Sequence, residues 1–380
     1  MSILKEFFFG KSKIKEKKVT RPLEALQIGI SPICNLKCTF CPTTFIPEEN
    51  AKLMTLEDFS LLEPYFSWTN WVYLQGWGEP LLNKNFWEMA ALAKASNTKV
   101  GFTTNGTLLD KEVAQRIIDG KLDLVSISIA GDAADIHNSL RVGSEFNSII
   151  DNVKYLIDLR EKLGLDNPKV SLSYMLTKDS IKHLPETIKL ADRIGADDLY
   201  AINIDCVFSH EADENKVFNW GDKPHKDHEK IVIDSILLAS DLGLSFRHYL
   251  LDMKEQAPVC ELDPNKFVFI TADGDVTPCT ALGRKVNSRI YEGKQIDLPR
   301  KTFGNIKTNT FEEIWNGADY QEFRKNFITR LEEYNILIAT FADNEPTPVR
   351  LKETQERYEN ALKNNPLPAE CQSCPKAYGL

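Results

Sequence analysis

Residues 26–42 read LQIGISPICNLKCTFCP, a short apolar run followed closely by Cys34, Cys38 and Cys41. The run Leu26–Ser31 is short and apolar, which is typical of a buried β-strand. Thiolates select zinc, copper(I) or iron–sulfur clusters among biological metals. A closed structural zinc site needs four protein ligands, and this loop supplies three. If the loop holds a cubane cluster, one iron has no protein ligand and is open to a small molecule.

The composition around this loop is that of a globular protein. Of the 380 residues, 42% are hydrophobic and 27% are charged, which excludes a disordered chain. This length favours either a large domain with a smaller partner or one large α/β barrel. The 46 basic and 55 acidic residues give a net charge of −9, so the chain is not expected to bind nucleic acid.

Neither a secretory signal nor a transmembrane helix is predicted. Residues 1–21 hold three consecutive phenylalanines among lysines, an apolar run too short for a signal peptide. No stretch approaches the roughly 18 apolar residues that a membrane span requires. A cytoplasmic location is therefore expected, where grouped cysteines act as metal ligands or catalytic groups rather than as disulfides. We interpret residues 1–21 as a basic lead-in segment.

From residue 26 onward, apolar runs alternate with amphipathic stretches of helical period, which predicts six βα units. The predicted strands are Leu26–Ser31, Trp71–Gln75, Lys99–Thr104, Leu124–Ile129, Val170–Leu176 and Leu199–Ile204. The predicted helices are Thr55–Phe66, Lys84–Ala95, Asp110–Ile118, Phe146–Leu163 and Ile181–Ile194. Right-handed crossovers make these strands parallel. The units form either a doubly wound sheet or a partial barrel, and in both folds the chemistry gathers at the carboxyl ends of the strands.

The pattern changes after the sixth strand. A polar segment, Asp205–Lys230, precedes a predicted helix at Ile231–Asp241. A hairpin is predicted from Phe267–Thr271 and Val276–Pro278, turning through Asp-Gly. A long charged helical stretch, Phe311–Leu362, is interrupted near two prolines.

A second group of four cysteines lies in this C-terminal region: Cys260, Cys279, Cys371 and Cys374. Four thiolates complete a closed metal site, so the residues alone leave a structural zinc and an iron–sulfur cluster as alternatives.

The three-cysteine loop resembles that of the radical S-adenosylmethionine (SAM) superfamily, whose hallmark is C-x3-C-x2-C after the first strand of a partial (β/α)6 barrel. The family's second strand ends in a GGEP-like motif that holds the SAM amino group. Here the second strand is followed by Gly76-Trp77-Gly78-Glu79-Pro80. The resemblance implies a 4Fe-4S cluster on the loop, with SAM chelating its open iron and yielding a 5′-deoxyadenosyl radical after one-electron reduction.

Three further residues match positions that contact SAM in this family. Phe40 matches an aromatic residue near the adenine, Ser128 a residue that contacts the ribose, and Arg141 an arginine that binds the carboxylate. For Ser128 and Arg141, a strand-packing hydroxyl and a surface salt bridge are the alternatives. Relatives commonly carry Ser-Ile-Asp-Gly on the fourth strand, whereas this chain has alanine at position 130, so the role of that aspartate is in doubt here.

The second cysteine group resembles the C-terminal SPASM or shortened "twitch" domain of radical SAM enzymes. The full form uses seven cysteines, whereas four are present here, which implies one fully ligated 4Fe-4S auxiliary cluster. Such a cluster has no iron free for substrate and is expected to relay electrons. The expected domains are residues 22–240, the barrel, and 241–380, the auxiliary-cluster domain with a helical insertion at about 311–365.

The eighth cysteine, Cys206, follows the sixth predicted strand, near the barrel mouth. It is a candidate hydrogen-atom donor, although free cysteines are often small buried hydrophobes. Asp205 and His210 are candidates for a general base.

The leading hypothesis is an enzyme that abstracts a substrate hydrogen atom and oxidises or otherwise modifies a small metabolite, sugar or cofactor precursor. A peptide maturase and a radical epimerase are alternatives, and a non-catalytic iron–sulfur or zinc protein is an alternative of another class. The expected partners are a small-molecule or peptide substrate and an electron donor such as flavodoxin or ferredoxin.

Overall fold

The computed structural model describes residues 21–47, 50–204, 206–221, 223, 225–252, 257–286, 288–343 and 346–380. The strands of these residues are β1 (Leu23–Ile28), β2 (Lys37–Cys38), β3 (Thr69–Tyr73), β4 (Lys99–Thr104), β5 (Leu124–Ile129), β6 (Arg141–Val142), β7 (Lys169–Leu176), β8 (Asp198–Asn203), β9 (Ser245–His248), β10 (Phe267–Ile270), β11 (Asp275–Thr277), β12 (Ser288–Tyr291), β13 (Lys294–Asp297) and β14 (Gly304–Asn305).

The α-helices are α1 (Pro42–Phe45), α2 (Leu56–Ser60), α3 (Phe86–Ala95), α4 (Lys111–Asp119), α5 (Ala134–Leu140), α6 (Phe146–Lys162), α7 (Leu184–Ile194), α8 (His210–Asn215), α9 (Lys226–Leu242), α10 (Thr280–Gly283), α11 (Phe311–Trp315), α12 (Ala318–Phe341) and α13 (Pro348–Asn364). Short 3-10 helices lie at Glu63–Trp68, Pro80–Leu82, Ile181–His183, Ala369–Cys371 and Pro375–Tyr378.

Ten strands form one sheet in the order β14-β11-β10-β1-β3-β4-β5-β7-β8-β9. The six strands from β1 to β8 in this sheet are parallel and follow one another in chain order. A doubly wound sheet reverses its strand order at a switch point, whereas an unreversed order keeps all crossover helices on one face. The partial-barrel prediction is therefore confirmed, and the doubly wound alternative is wrong.

The side chains of the parallel strands alternate between two environments. In β5, Val125, Ile127 and Ile129 are fully buried beneath the helices, whereas Ser126 and Ser128 are partly exposed on the other face. Because side chains point to opposite faces with a period of two, the apolar face carries the core and the polar face lines the barrel interior.

Strands from the C-terminal region continue the barrel sheet on both sides. β9 pairs in parallel with β8, and β10 pairs in parallel with β1. The predicted hairpin is present as β10 and β11, and β14 adds a further antiparallel strand. The sheet is thus continuous across residue 240, and the domain boundary placed there stays a prediction. Most of the predicted basic lead-in lies outside the described residues.

The helices and strands differ from the predictions at a proline, at a glycine and where the strands are short. The predicted helix Thr55–Phe66 is instead α2 followed by a 3-10 helix that begins just before Pro64, because proline lacks the N–H that an α-helix needs. The helical stretch from residue 311 is split into α11, α12 and α13, and Gly317 caps the second of these helices. The hairpin of β12 and β13 was missed.

A separate cluster of buried side chains packs around the cysteine loop. It joins Cys38 and Phe40 of the loop to Val207, Phe218 and Leu380. The segment after β8, predicted to be polar, therefore contributes apolar cover to the loop. No helix in the described part of the chain is long and apolar enough to cross a membrane.

Candidate active site

The three-cysteine loop follows β1 and is held by a small two-stranded sheet. Lys37 and Cys38 of β2 pair antiparallel with Val142 and Arg141 of β6. Burial raises the pKa of Cys38, the guanidinium of Arg141 opposes this shift, and the neighbouring thiols of Cys41 and Cys34 add to it. The thiols of Cys34 and Cys41 therefore lie close enough to Cys38 to act on its charge.

Several N–H groups point at these sulfur atoms. Asn105 Nδ2 lies 3.6 Å from Cys34 Sγ, and the backbone N of Leu36 lies 3.5 Å from the same atom. Arg141 Nη1 lies 3.9 Å from Cys38 Sγ. Donors and a cation around the sulfurs favour thiolates, which is the ligand state that an iron–sulfur cluster requires.

Glu79 is 1% exposed and lies beside the cysteine loop. Its Oε1 accepts hydrogen bonds from Thr104 Oγ1 at 2.8 Å and from the backbone N of Leu81 at 3.1 Å. Its Oε2 accepts a hydrogen bond of 2.8 Å from the backbone N of Asn105. Burial raises the pKa of Glu79 to about 7, while these hydrogen bonds oppose the shift. The carboxyl group is thus held ready to pair with an ammonium group.

The glycines of residues 76–80 are required by close backbone contacts. A Cβ atom on Gly78 would lie 2.3 Å from Ile33 O and 2.5 Å from Ser31 O. One on Gly76 would lie 2.8 Å from the Cα of Gly29. Backbone hydrogen bonds from Gly78 to Ser31 and from Glu79 to Ile33 join this loop to the chain that leads into the cysteines.

The other predicted SAM contacts lie on the same side of the barrel. The guanidinium carbon of Arg141 is 5.4 Å from the ring centroid of Phe40, and both residues are buried. The predicted alternative of a surface salt bridge for Arg141 does not fit a side chain that is 8% exposed. Ser128 is partly exposed on the interior face of β5, level with Ser173 of β7.

The four C-terminal cysteines come together around one cavity. Cys260, Cys279, Cys371 and Cys374 all line it, although 91 residues separate the second from the third in sequence. Burial and the neighbouring thiol of Cys374 raise the pKa of Cys260 to about 11 and that of Cys279 to about 12. Phe323 and Phe327 of α12 also line the cavity.

The donor set of this cavity, four thiols and no imidazole, fits an iron–sulfur cluster. The Sγ of Cys279 accepts a hydrogen bond from the backbone N of Leu282 at 3.5 Å, so α10 orients this cysteine at its own N-terminus.

The sequence matches two family profiles in the regions of these two cysteine groups. Residues 28–191 match the radical SAM superfamily, and residues 260–335 match SPASM, an iron–sulfur cluster-binding domain. The chain thus carries a radical SAM domain followed by a SPASM domain. It is an enzyme, so the non-catalytic alternative is wrong. Its cofactors are a 4Fe-4S cluster, SAM and a second, auxiliary 4Fe-4S cluster, which sets aside the zinc alternative. Which side chains hold them stays a prediction that this geometry supports.

Relatives of this radical SAM enzyme differ in how much of the chain they match. A tungsten-containing aldehyde ferredoxin oxidoreductase cofactor-modifying protein of Pyrococcus furiosus is 26% identical over 81% of this chain and 84% of its own length. The mycofactocin maturase MftC of Mycobacterium ulcerans is 27% identical over 43% of this chain and 42% of its own length. The chain thus spans less than half of that maturase.

A solved structure has the same fold. Streptococcus suis SuiB bound to S-adenosylmethionine superposes with a TM-score of 0.61 and 18% identity, covering 80% of this chain and 68% of SuiB. At this identity the likeness concerns the fold alone, and it agrees with the partial barrel described above.

The predicted catalytic residues of this radical SAM chain are not all brought to the cysteine loop. Cys206 is partly buried between Ile204 and Val207, which both pack in the cluster around the loop. His210 is exposed at the first residue of α8, and among the described residues no hydrogen bond or ring contact joins it to the cysteine loop. Asp205 lies outside the described residues. All three roles stay predictions.

Sequence reasoning missed the residues that support the site from neighbouring strands. Thr104 and Asn105 hold Glu79, and Asn105 also contacts Cys34. Their position at the carboxyl end of a predicted strand was a usable signal. No comparable signal marked Tyr200, Tyr249 and Glu261, a hydrogen-bonded group that extends from the barrel interior to the residue after Cys260.

Proposed function

We propose that this enzyme abstracts a hydrogen atom from a small polar substrate in the barrel interior and oxidises it, and that an auxiliary cluster held by the chain would supply the electron acceptor. In this proposal Cys34, Cys38 and Cys41 hold the first cluster, and Cys260, Cys279, Cys371 and Cys374 hold the second. When bound, the first cluster and SAM supply the radical.

The residues of the chain bind and orient SAM. Glu79 would accept hydrogen bonds from the SAM ammonium, and the backbone of residues 76–80 fixes the position of that carboxylate. Arg141 binds the SAM carboxylate in a buried setting, where a guanidinium pair is strong because little water competes. Phe40 would pack on the adenine, and Ser128 would hydrogen-bond to the ribose. The apolar cover from Phe218 excludes water from the loop.

The observation that carries the proposal is the hydrogen-bonded group at the barrel wall. Tyr200 projects inward from β8, since its neighbours Leu199 and Ala201 are fully buried beneath the helices. Tyr200 and Tyr249 both hydrogen-bond to Glu261, which directly follows Cys260. A substrate against Tyr200 is therefore only a few residues of packed protein away from the auxiliary cavity, which favours electron transfer from substrate to the second cluster.

The lining of the barrel interior indicates the class of substrate. Toward the carboxyl ends of the strands, the lining carries uncharged hydrogen-bonding side chains, namely Gln27, Gln75, Thr103, Ser126, Ser128 and Ser173. Toward their amino ends, Asp198 and Arg247 neutralise each other in a bidentate ion pair of 2.7 and 3.1 Å. A lining of this kind suits a neutral, hydroxyl- or amide-rich molecule. A relative that matches 81% of the chain is named as a cofactor-modifying protein, which supports a cofactor precursor as the substrate.

The first test is anaerobic reconstitution followed by iron and sulfide analysis and by incubation with reductant and SAM. We expect about eight irons per chain and formation of 5′-deoxyadenosine. A stoichiometry of about four irons, or failure to cleave SAM, would contradict the two-cluster proposal.

The substrate class is tested with an extract of the source cells. The cells are grown in deuterated medium, and the extract is fractionated by molecular size. We expect deuterium to enter 5′-deoxyadenosine with the fraction below about 1 kDa, since the barrel lining suits a small polar molecule. Transfer of deuterium from the peptide fraction alone would instead support a peptide maturase. The similarity to mycofactocin maturase favours that alternative. A Cys371→Ala/Cys374→Ala variant should still cleave SAM but should yield much less oxidised product.

A further inference from the structure

Trp77 contacts both halves of the molecule from within the proposed SAM-binding loop. Its backbone oxygen accepts a hydrogen bond of 2.9 Å from Thr43 Oγ1, two residues after Cys41. Its indole Nε1 donates a hydrogen bond of 3.0 Å to the backbone oxygen of Thr280, the residue after Cys279. One residue thus joins the segment after the first cysteine group to the helix that carries a cysteine of the second.

Arg284 forms a second bridge at the same place. It is 1% exposed and directly follows α10. Its guanidinium carbon lies 5.2 Å from the centroid of the Trp77 ring, and its Nη2 donates a hydrogen bond of 2.7 Å to the backbone oxygen of Ile46, the C-cap of α1. A buried guanidinium that reaches the backbone of another segment fixes the distance between the two.

The backbone role of Trp77 does not explain its side chain. A smaller residue at position 77 would keep the hydrogen bond from Thr43 to the backbone, but it would lose the indole N–H and the ring beneath Arg284. The ring also meets Phe208 edge-on at 6.3 Å, but the indole N–H serves the contact with α10 alone. Because Cys279 is the N-cap of α10, any movement of that cysteine on loading the auxiliary cavity displaces the acceptor of the indole bond.

We propose that Trp77 and Arg284 are positioning residues that couple the auxiliary-cluster site to the SAM site. Loading of the four-cysteine cavity fixes α10, α10 fixes Trp77, and Trp77 fixes the backbone that orients Glu79. The inference rests on the proposed role of residues 76–80 in holding SAM. Its consequence is that SAM affinity depends on occupancy of a cavity that does not contact SAM.

The test is a set of SAM dissociation constants, measured by equilibrium binding on reconstituted protein without substrate. Trp77→Phe, which keeps a ring but has no N–H, and Arg284→Met should each weaken SAM binding about 3- to 10-fold, as expected for loss of one hydrogen-bonded bridge. Trp87→Phe is the matched control, since this partly buried tryptophan packs on Phe86 and Arg116, and it should leave the affinity unchanged.

The coupling itself is measured by a double-mutant cycle. Cys371→Ala/Cys374→Ala should weaken SAM binding about 3- to 10-fold in the wild-type background and less than about 2-fold in the Trp77→Phe background. Additive effects, or wild-type affinity in both Trp77→Phe and Arg284→Met, would overturn the coupling. Glu79→Gln separates the two proposals: if it also leaves SAM affinity unchanged, the assignment of residues 76–80 to SAM fails, and otherwise only the coupling does.

Discussion

The carboxylate of Glu79 and the backbone N–H of Asn105 meet at 2.8 Å, so that the end of β4 supports the loop that follows β3. The partners of Glu79 are neutral hydrogen-bond donors, and the residue is 1% exposed. Without SAM, the charged form is therefore penalised by burial, and this penalty has a measurable effect on stability.

The free energy of unfolding should fall as pH rises if Glu79 titrates as described. The pKa of Glu79 is raised from 4.5 to about 7 on folding. The stabilisation that its protonated form adds to the free energy of unfolding is therefore fully present below about pH 4.5 and is lost as pH rises through about 7. Urea titrations of SAM-free protein should show a loss of about 1 kcal/mol between pH 6 and pH 8 that is absent in Glu79→Gln. The same slope in both proteins would contradict this explanation.

Gly78→Ala should abolish tight SAM binding and destabilise the protein by about 3 kcal/mol, because its Cβ would overlap two backbone oxygen atoms. Gly164→Ala is the control, since a Cβ there has nothing within 4 Å although its φ is +65°. It should cost about 1 kcal/mol and leave SAM affinity unchanged. Urea unfolding and equilibrium SAM binding measure both effects. A Gly78→Ala protein that binds SAM normally would contradict the proposed role of residues 76–80 in holding SAM.

Arg330→Met should loosen the auxiliary-cluster site. Arg330 is fully buried and donates hydrogen bonds to the backbone oxygens of Ala257, Pro258 and Asn365, which precede the cysteines at 260 and 371. We expect a loss of about 3 kcal/mol in unfolding free energy and faster loss of about four irons to a chelator. Arg357→Met, which breaks an exposed pair of 2.8 Å with Glu333, should change stability by less than about 1 kcal/mol. Equal iron loss from both variants would count against this role.

Cys206→Ala should keep both clusters, whereas Cys260→Ala should lose one of them. Cys260 lines the four-cysteine cavity and Cys206 does not. Iron analysis after anaerobic reconstitution should give about eight irons per chain for the first variant and about four for the second. If Cys206 donates a hydrogen atom, its variant should also cleave SAM without completing turnover once the substrate is known. Full turnover by Cys206→Ala would remove that role.

The local pattern of the sequence was enough to predict the six βα units, and the resemblance to the radical SAM family then predicted the partial barrel. The predicted bounds of Lys99–Thr104 and Leu124–Ile129 are those of the structure, because strands that alternate in burial carry a period of two. Thr55 and Asp110, the first residues of two predicted helices, accept hydrogen bonds from backbone N–H groups in the first turns of those helices. In contrast, β9 and the hairpin of β12 and β13 are four-residue strands, too short for a periodic signal.

The sequence by itself determined the thiol groups, their number and the Gly-Trp-Gly-Glu-Pro loop, because cysteine spacing and glycine positions are written in the chain. Only the tertiary structure decided which distant residues share a site. Tyr200 reaches Glu261 beside the auxiliary cavity, and Trp77 reaches Thr280 across 203 positions. Such contacts depend on how the C-terminal strands join the barrel sheet, and that pairing is a long-range choice that no local period encodes.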